Sequence, residues 1–341
     1  LKALIDVKDL RKTFRVPKKT EGRGVWAKTK NILVRHWEPV EVLKGISFQV
    51  QKGEFVGYIG ANGAGKSTTL KTLTGILCPD SGSVRCVGMD PYAQRYHYTY
   101  HIGVVFGQKS ILEYEVPVSA SFELYRRIYE MSDQRFKERM GFFNELLSIN
   151  NLLHIPVRKL SFGQRMRCEV VASLLHQPDI VFLDEPTIGL DASAKKEIRE
   201  FLRQVNEVEQ TTVLLTTHDM KDIESLCERV MLIDQGQLIY DGSVDQLKRS
   251  TLREKTLHFH PKHIRSPQVY EALQAKVNVQ DGQDGERWTL RTDEVELSAF
   301  VQSLLECCEV LDLSMSEPEL EDVVHHIYGA QGLAEAGHEG K

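Results

Sequence analysis

The stretch Gly60 to Thr68 reads GANGAGKST and follows a short apolar run, Phe55 to Ile59. This is the spacing G-x-x-x-x-G-K-[ST], set between an expected strand and an expected helix that runs to about Leu77. Gly60, Gly63 and Gly65 let the backbone around Asn62 and Ala64 wrap closely and turn its N–H groups inward. The helix N-terminus adds partial positive charge, which favours phosphate. Lys66 is long enough to reach β- and γ-phosphates, Ser67 offers a hydroxyl to Mg²⁺, and Thr68 completes the loop. Two carboxylates form a second constellation. In DIVFLDEPT, Asp179 to Thr187, the apolar run Ile180 to Leu183 ends in Asp184 and Glu185. A parallel strand ending this way presents both at the carboxyl edge of a sheet, where open α/β folds bind ligands. Asp184 is then placed to hold Mg²⁺ and Glu185 to take a proton from an attacking water. Two further strands end in polar groups: TVLLTTHD carries His218, able to bond a γ-phosphate oxygen, and HIGVVFGQ ends at Gln108, whose amide can ligate Mg²⁺ and touch the water. Alone, such a histidine is a structural residue and such a glutamine carries no information.

These groups need a scaffold that brings several strand ends together. From VEVLKGISFQVQKGEFVGYIG to about Ser250, apolar strands alternate with helical stretches, the pattern of an α/β domain with a mainly parallel sheet. Ahead of it, LIDVKDLRKTF reads as a strand followed by a turn. Residues 17–39 interrupt the pattern with a basic insert bearing Trp26 and Trp37. Residues 109–160 read as mainly helical, with FELYRRIYE and FKERMGFFNELL as amphipathic pieces. After residue 250 the texture changes to a small α+β domain over 251–329: a strand TLHFH, a helix Ser266 to Lys276, a hairpin around QDGQDGERW, a helix Val295 to Cys308 and a last short helix. Residues 330–341 have the composition of a disordered tail.

Composition narrows the classes. The chain has 341 residues and a net charge of -5, against the strongly basic surface that general nucleic-acid binding requires, so no nucleic-acid partner is expected. Its six cysteines lack C-x-x-C spacing and fit reduced thiols. No apolar run approaches the roughly 18 residues of a membrane span, and no signal peptide opens the sequence, so any membrane role is expected to run through a partner.

One stretch is left over. LSFGQRMR, Leu160 to Arg167, also looks like a phosphate-binding helix start, about a hundred residues after the first cradle. Taken with the motifs above, in this order, it makes the chain resemble the nucleotide-binding subunit of ABC transporters over Leu4 to about Ser250. In that resemblance GANGAGKST is similar to Walker A, Gln108 to the Q-loop, LSFGQ to the family signature and VFLDEPT to Walker B. GLD, with Asp191, is similar to the D-loop, and His218 to the switch histidine. Phe14 matches the aromatic that stacks on adenine. The resemblance implies a P-loop NTPase fold with an antiparallel β subdomain and a helical subdomain. ATP and Mg²⁺ are the implied cofactors. It further implies that Ser161, Phe162, Gly163 and Gln164 serve the nucleotide held by another copy, or by a related ATPase subunit, in a head-to-tail dimer. Asp191 would couple the two sites. The implied setting is the cytoplasmic face of the cell membrane, bound to integral permease subunits, with Ile111 to Val118 receiving the permease.

Two departures stand out. The signature usually has glycine where this chain has Phe162, and the 17–39 insert lengthens the path from Phe14 to Gly60. Trp26 and Trp37 are weaker candidates for the adenine. The insert reads either as a solvated loop or as a segment whose basic residues and tryptophans meet the permease or the membrane surface. The ending SEPELEDVVHHIYG resembles exporters of the multidrug and antibiotic-resistance class, and the whole layout a subgroup that includes viologen exporters. The plainer reading is an ordinary terminal amphipathic helix with Leu320, Val323, Val324 and Ile327 on its buried face. The competing class is a non-transport relative acting in translation or DNA repair. Those have tandem domains, long coiled coils or zinc-binding cysteine pairs, which this sequence lacks.

Overall fold

The computed structural model describes residues 3–17, 37–107, 109–251, 254–282, 285–291, 296–316, 320–324 and 327–328. Gln108, residues 18–36 of the insert with Trp26, and the tail 330–341 lie outside them. The chain divides into two compact units, residues 1–242 and 243–341.

In the first unit the strands and helices run β1 (Ile5–Pro17), β2 (Trp37–Val50), β3 (Phe55–Gly60), α1 (Lys66–Leu73), β4 (Ser81–Cys86), α2 (Arg95–Tyr98), β5 (Ile102–Phe106), α3 (Val118–Ile128), α4 (Asp133–Leu147), α5 (Phe162–Leu174), β6 (Ile180–Asp184), α6 (Ala192–Glu209), β7 (Thr212–Thr216), α7 (Met220–Leu226), β8 (Arg229–Asp234) and β9 (Gln237–Ser243). Six strands form one sheet in the order β5-β6-β7-β3-β8-β9, and the pairings from β5 through β8 are all parallel. The carboxyl ends of β3, β5, β6 and β7 therefore share one edge. The inner strands are apolar along their middles because both faces are covered: Val56, Tyr58, Phe182, Leu183, Leu214 and Leu215 are fully buried. A second, antiparallel sheet, β2-β1-β4, shares a core with them through Ile5, Leu10, Leu43 and Val84.

Here the structure corrects the reading of the N-terminal stretch. LIDVKDLRKTF is not a strand and a turn but part of one strand of 13 residues. A bulge takes the place of the turn: Asp9 has φ 45°, and the register shifts between Val7 and Leu10. The ladder of β1 and β2 continues until Pro17 faces Trp37, so Trp37, Glu38 and Pro39 belong to a strand. The insert thus leaves from the far end of an antiparallel pair. Phe14 stays in register opposite Val40 and needs no displacement to accommodate it.

Helices α3 and α4 form an arm fixed to the sheet domain by a buried ion pair, Arg139 with Glu209, whose guanidinium also donates to Leu174 O at 2.9 Å. Tyr129 stacks on His176 at 3.7 Å between ring centroids. Burial depresses the His176 pKa to about 4, so the stacked ring is neutral.

The second unit holds α8 (Val244–Thr251), β10 (Glu254–Ile264), α9 (Pro267–Gln274), β11 (Asn278–Gly282), β12 (Gly285–Arg291), α10 (Leu297–Cys307) and β13 (Cys308–Ser316). Its four strands pair antiparallel in the order β11-β12-β10-β13. Trp288 is fully buried at the centre, with Phe259, Tyr270 and Phe300 around it. Helices α9 and α10 are shorter at both ends than the sequence pattern implies. In the terminal segment Leu320, Val323 and Val324 are buried and Ile327 is half-exposed.

Candidate nucleotide site

The first cradle is built at the end of β3, and its glycines have distinct jobs. A side chain at Gly60 would lie 2.3 Å from Ile233 O, so this glycine allows the loop to leave the sheet beside β8. Gly65 has φ 111° and is the N-cap of α1, a conformation that penalises any side chain. Helix α1 ends at Leu73 rather than Leu77, because Gly75 turns the chain at φ 71°. Asn62, Gly63 and Ser67 are exposed, Thr68 is half-buried, and Ala64 is buried. Lys66 is only 7% exposed. Its ammonium donates to Gly60 O at 2.5 Å and Ala61 O at 3.2 Å, stapling the loop to its own base. Burial lowers its pKa, opposed by the carboxylates of Glu185 and Asp184.

Opposite, Asp184 closes β6 between Phe106 and Thr216 on the ladder. Thr216 Oγ1 donates to Asp184 Oδ1 at 2.6 Å, which fixes the carboxylate's orientation. Glu185 has left the strand with φ 55°, the left-handed region that costs a non-glycine residue about 1 kcal/mol. Its N–H is held by Thr216 O at 2.9 Å. Gly107 makes this possible: a Cβ there would stand 2.7 Å from Glu185 O. His218 lies two residues beyond the end of β7, not at the strand terminus, and its Nε2 stands 2.6 Å from Glu185 Oε1. A cavity of about 290 Å³ is lined by Ser67, Lys71, Ile76, Phe106, Gly107, Lys109, Asp184, Glu185 and Ile188. The structure thus brings Ser67, Asp184 and Glu185 together, with His218 joined through Glu185. Phe14, Asp191 and the signature residues are not among the residues lining this cavity.

The signature helix begins at Phe162, because Ser161 is its N-cap. Ser161 Oγ accepts from Gln164 N at 3.2 Å and Gln164 Oε1 accepts from Ser161 N at 2.9 Å, a reciprocal capping box. In this arrangement the Ser161 hydroxyl still has its own proton to donate outward. Phe162 is half-buried against the turn before α6: a Cβ on Gly189, where φ is 73°, would lie 3.6 Å from its ring. The Arg165 guanidinium lies 5.0 Å from the ring centroid. Gly163 packs likewise, its missing Cβ 3.3 Å from Ala194. Asp191 caps α6, accepting from Ala194 N at 2.9 Å. The bulk at Phe162 therefore has a seat within its own chain. Phe162→Gly should lower unfolding stability by about 1–2 kcal/mol through the lost ring contacts and a glycine in the first helical turn, measured by denaturant titration.

Behind the signature, Glu169 is 3% exposed and accepts from Ile111 N at 3.1 Å. Burial raises its pKa, with Ser110, Ile111 and Arg165 opposing. It ties α5 to the segment that follows Gln108. Glu169, Thr216 and Gly107 carry no local sequence signal, since each is meaningful only through a partner distant in sequence. The S-x-x-Q spacing of the capping box was readable and signals a helix starting at Phe162.

Comparison with known proteins agrees with this architecture. The family described as ABC transporter matches residues 43–188. Daunorubicin resistance ATP-binding protein DrrA3 of Streptomyces coeruleorubidus is 31% identical over 302 residues, covering 85% of this chain and 92% of its own. Nod factor export ATP-binding protein I of Ralstonia nicotianae is 36% identical over 206 residues, covering 60% of this chain and 64% of its own. Among solved structures, a dimeric ATP-binding cassette in a post-hydrolysis state with ADP and Pi has TM-score 0.58 and 23% identity. That alignment covers 70% of this chain and 98% of the cassette, a likeness of fold. The class is that of ATP-binding cassettes with a P-loop fold. This chain belongs to the ABC transporter family, as an ATP-binding, ATP-hydrolysing subunit. Among the described residues no helix is long and apolar enough to cross a membrane.

Proposed function

We propose that this chain powers an exporter. ATP held at Gly60–Thr68 of one copy is covered by Ser161–Gln164 of a second copy or a related ATPase subunit, and the pairing drives a separate integral membrane permease. The observation that carries this reading is the exposed helix start at Ser161, which presents a hydroxyl and backbone N–H groups while none of its residues lines the Ser67–Asp184–Glu185 cavity of its own chain. An anion-binding helix start outside its own pocket is what a shared nucleotide requires.

The donor set fits Mg²⁺: the Ser67 hydroxyl and the Asp184 carboxylate are hard oxygens facing one cavity. When bound there, the ion would neutralise charge on the β- and γ-phosphates. Gln108 is proposed as a further ligand and lies outside the described residues. Lys66 binds and orients the phosphates, Glu185 takes the proton of the attacking water, and His218 holds Glu185 in place and offers its own bond to the phosphate. Phe14 is proposed for the adenine and Asp191 for coupling across the interface. Helix-start contacts from Ser161 close the site from the second copy.

Export as the direction rests on relatives named for daunorubicin resistance and Nod factor export. In this reading the chain sits peripherally on the cytoplasmic face, with Ile111 to Val118 against the permease. Co-expression with a candidate permease tests the assignment. The chain should move to the membrane fraction, and inverted vesicles should take up permease substrate only with hydrolysable ATP. A chain that stays with ribosomes or DNA under those conditions would contradict it.

A further inference from the structure

A buried carboxylate, Asp222, stands close to the site without lining its cavity. Asp222, on α7, is fully buried and makes three side-chain contacts from three separate stretches. Thr187 Oγ1 donates to Asp222 Oδ2 at 2.5 Å, Thr217 Oγ1 donates to the same oxygen at 2.8 Å, and Arg199 Nε donates to Oδ1 at 2.5 Å. Thr187 and Thr217 are themselves buried, at 2% and 3% exposure. Thr187 follows Glu185 by two residues, Thr217 directly precedes His218, and Arg199 lies on α6 beyond Asp191. The loop is tightened further by Asp219, which accepts from Lys195 Nζ at 2.7 Å and Arg199 at 3.3 Å on the same helix.

A buried carboxylate costs several kcal/mol of desolvation unless its lone pairs are filled by good donors. Here three donors fill them, and two sit beside the groups that meet at 2.6 Å in the Glu185–His218 pair. We propose that Asp222 is a positioning residue for hydrolysis: it clamps Thr187 and Thr217 so that Glu185 and His218 stay in register, and through Arg199 it ties that register to α6. The segment 187–191 runs from this clamp to the Asp191 cap of α6, so a shift of α6 is carried to both members of the pair. None of the clamp's residues lines the Ser67–Asp184–Glu185 cavity, and its threonines and carboxylate are buried. Its effect is on turnover rather than on binding, and it rests on Glu185 being the base.

The test separates hydroxyl from packing, using the full chain. Thr187→Val and Thr217→Val keep shape and lose the hydroxyl. Thr187→Ser and Thr217→Ser keep the hydroxyl and lose a methyl. Each valine variant should lower kcat for ATP about ten- to a hundredfold with KM changed less than about threefold, the signature of misaligned rather than unbound reactants. The serine variants should recover most of the rate. Asp222→Asn should follow the valine variants; should it fail to fold because Arg199 loses one of its two carboxylates, the threonine series decides. Valine variants with unchanged kcat overturn the proposal, as do serine variants that fall as far as valine, or losses that appear in KM alone. Glu185→Gln run alongside keeps the two readings apart: if it turns over normally, the assignment of the base falls, whatever the threonines do.

Discussion

Glu185→Gln should slow phosphate release by about 10³-fold while ATP binding remains within a few-fold of the wild type. The amide has the shape of the carboxylate but cannot take a proton from water. Nothing else need change. The backbone of Glu185 is held at φ 55° by its N–H bond to Thr216 O and by the space left at Gly107, and neither depends on the side chain. An amide can still meet His218 across the present 2.6 Å separation. Steady-state phosphate release together with fluorescent-nucleotide titration would separate the two quantities. A variant hydrolysing ATP at the normal rate removes Glu185 from the mechanism.

Lys66→Ala acts on the other half of the equilibrium. It deletes the cation of the phosphate cradle and leaves Gly60 O and Ala61 O without their present donor. Charge-assisted bonds are worth roughly 1.5–3 kcal/mol each, so losing one or two to phosphate should raise the ATP dissociation constant about 10²-fold or more. Calorimetric titration measures this directly. The wild type should also show a pH signature that the variant lacks. Burial has lowered the Lys66 pKa, so the free protein loses this proton at a lower pH than an ordinary lysine. Phosphate binds the ammonium form. Affinity should therefore fall as pH rises through that lowered value, and the alkaline limb should vanish in Lys66→Ala. Equal affinity of variant and wild type would refute the assignment.

What the sequence makes legible follows from how local its signals are. The parallel sheet is readable because the middles of Phe55–Gly60, Ile180–Asp184 and Thr212–Thr216 are buried on both faces and so run apolar. The cradle is readable because glycine, lysine and serine must fall at fixed spacing on one turn. Strand β1 is less so: the bulge at Asp9 looks like a turn until the partner strand is seen carrying the ladder on. The clamp at Asp222 is invisible for a related reason. Its threonines and arginine come from residues 187, 199 and 217, and nothing in any of those stretches announces that they converge. Phe162 is a departure from the family pattern that sequence alone leaves unexplained. Its ring is seated beside Gly189, 27 residues later in the chain.

The central claim is that nucleotide joins two copies, with Ser161–Gln164 of each completing the cradle of the other. Light scattering on Glu185→Gln, with and without saturating Mg²⁺ and ATP, tests it most directly, because the variant binds without discharging the nucleotide. Two chains per particle with ATP, one without, and one again when Ser161 is replaced by a bulky acidic residue is the predicted outcome. A particle that remains a single chain at saturating ATP, alone and with its permease, contradicts the account.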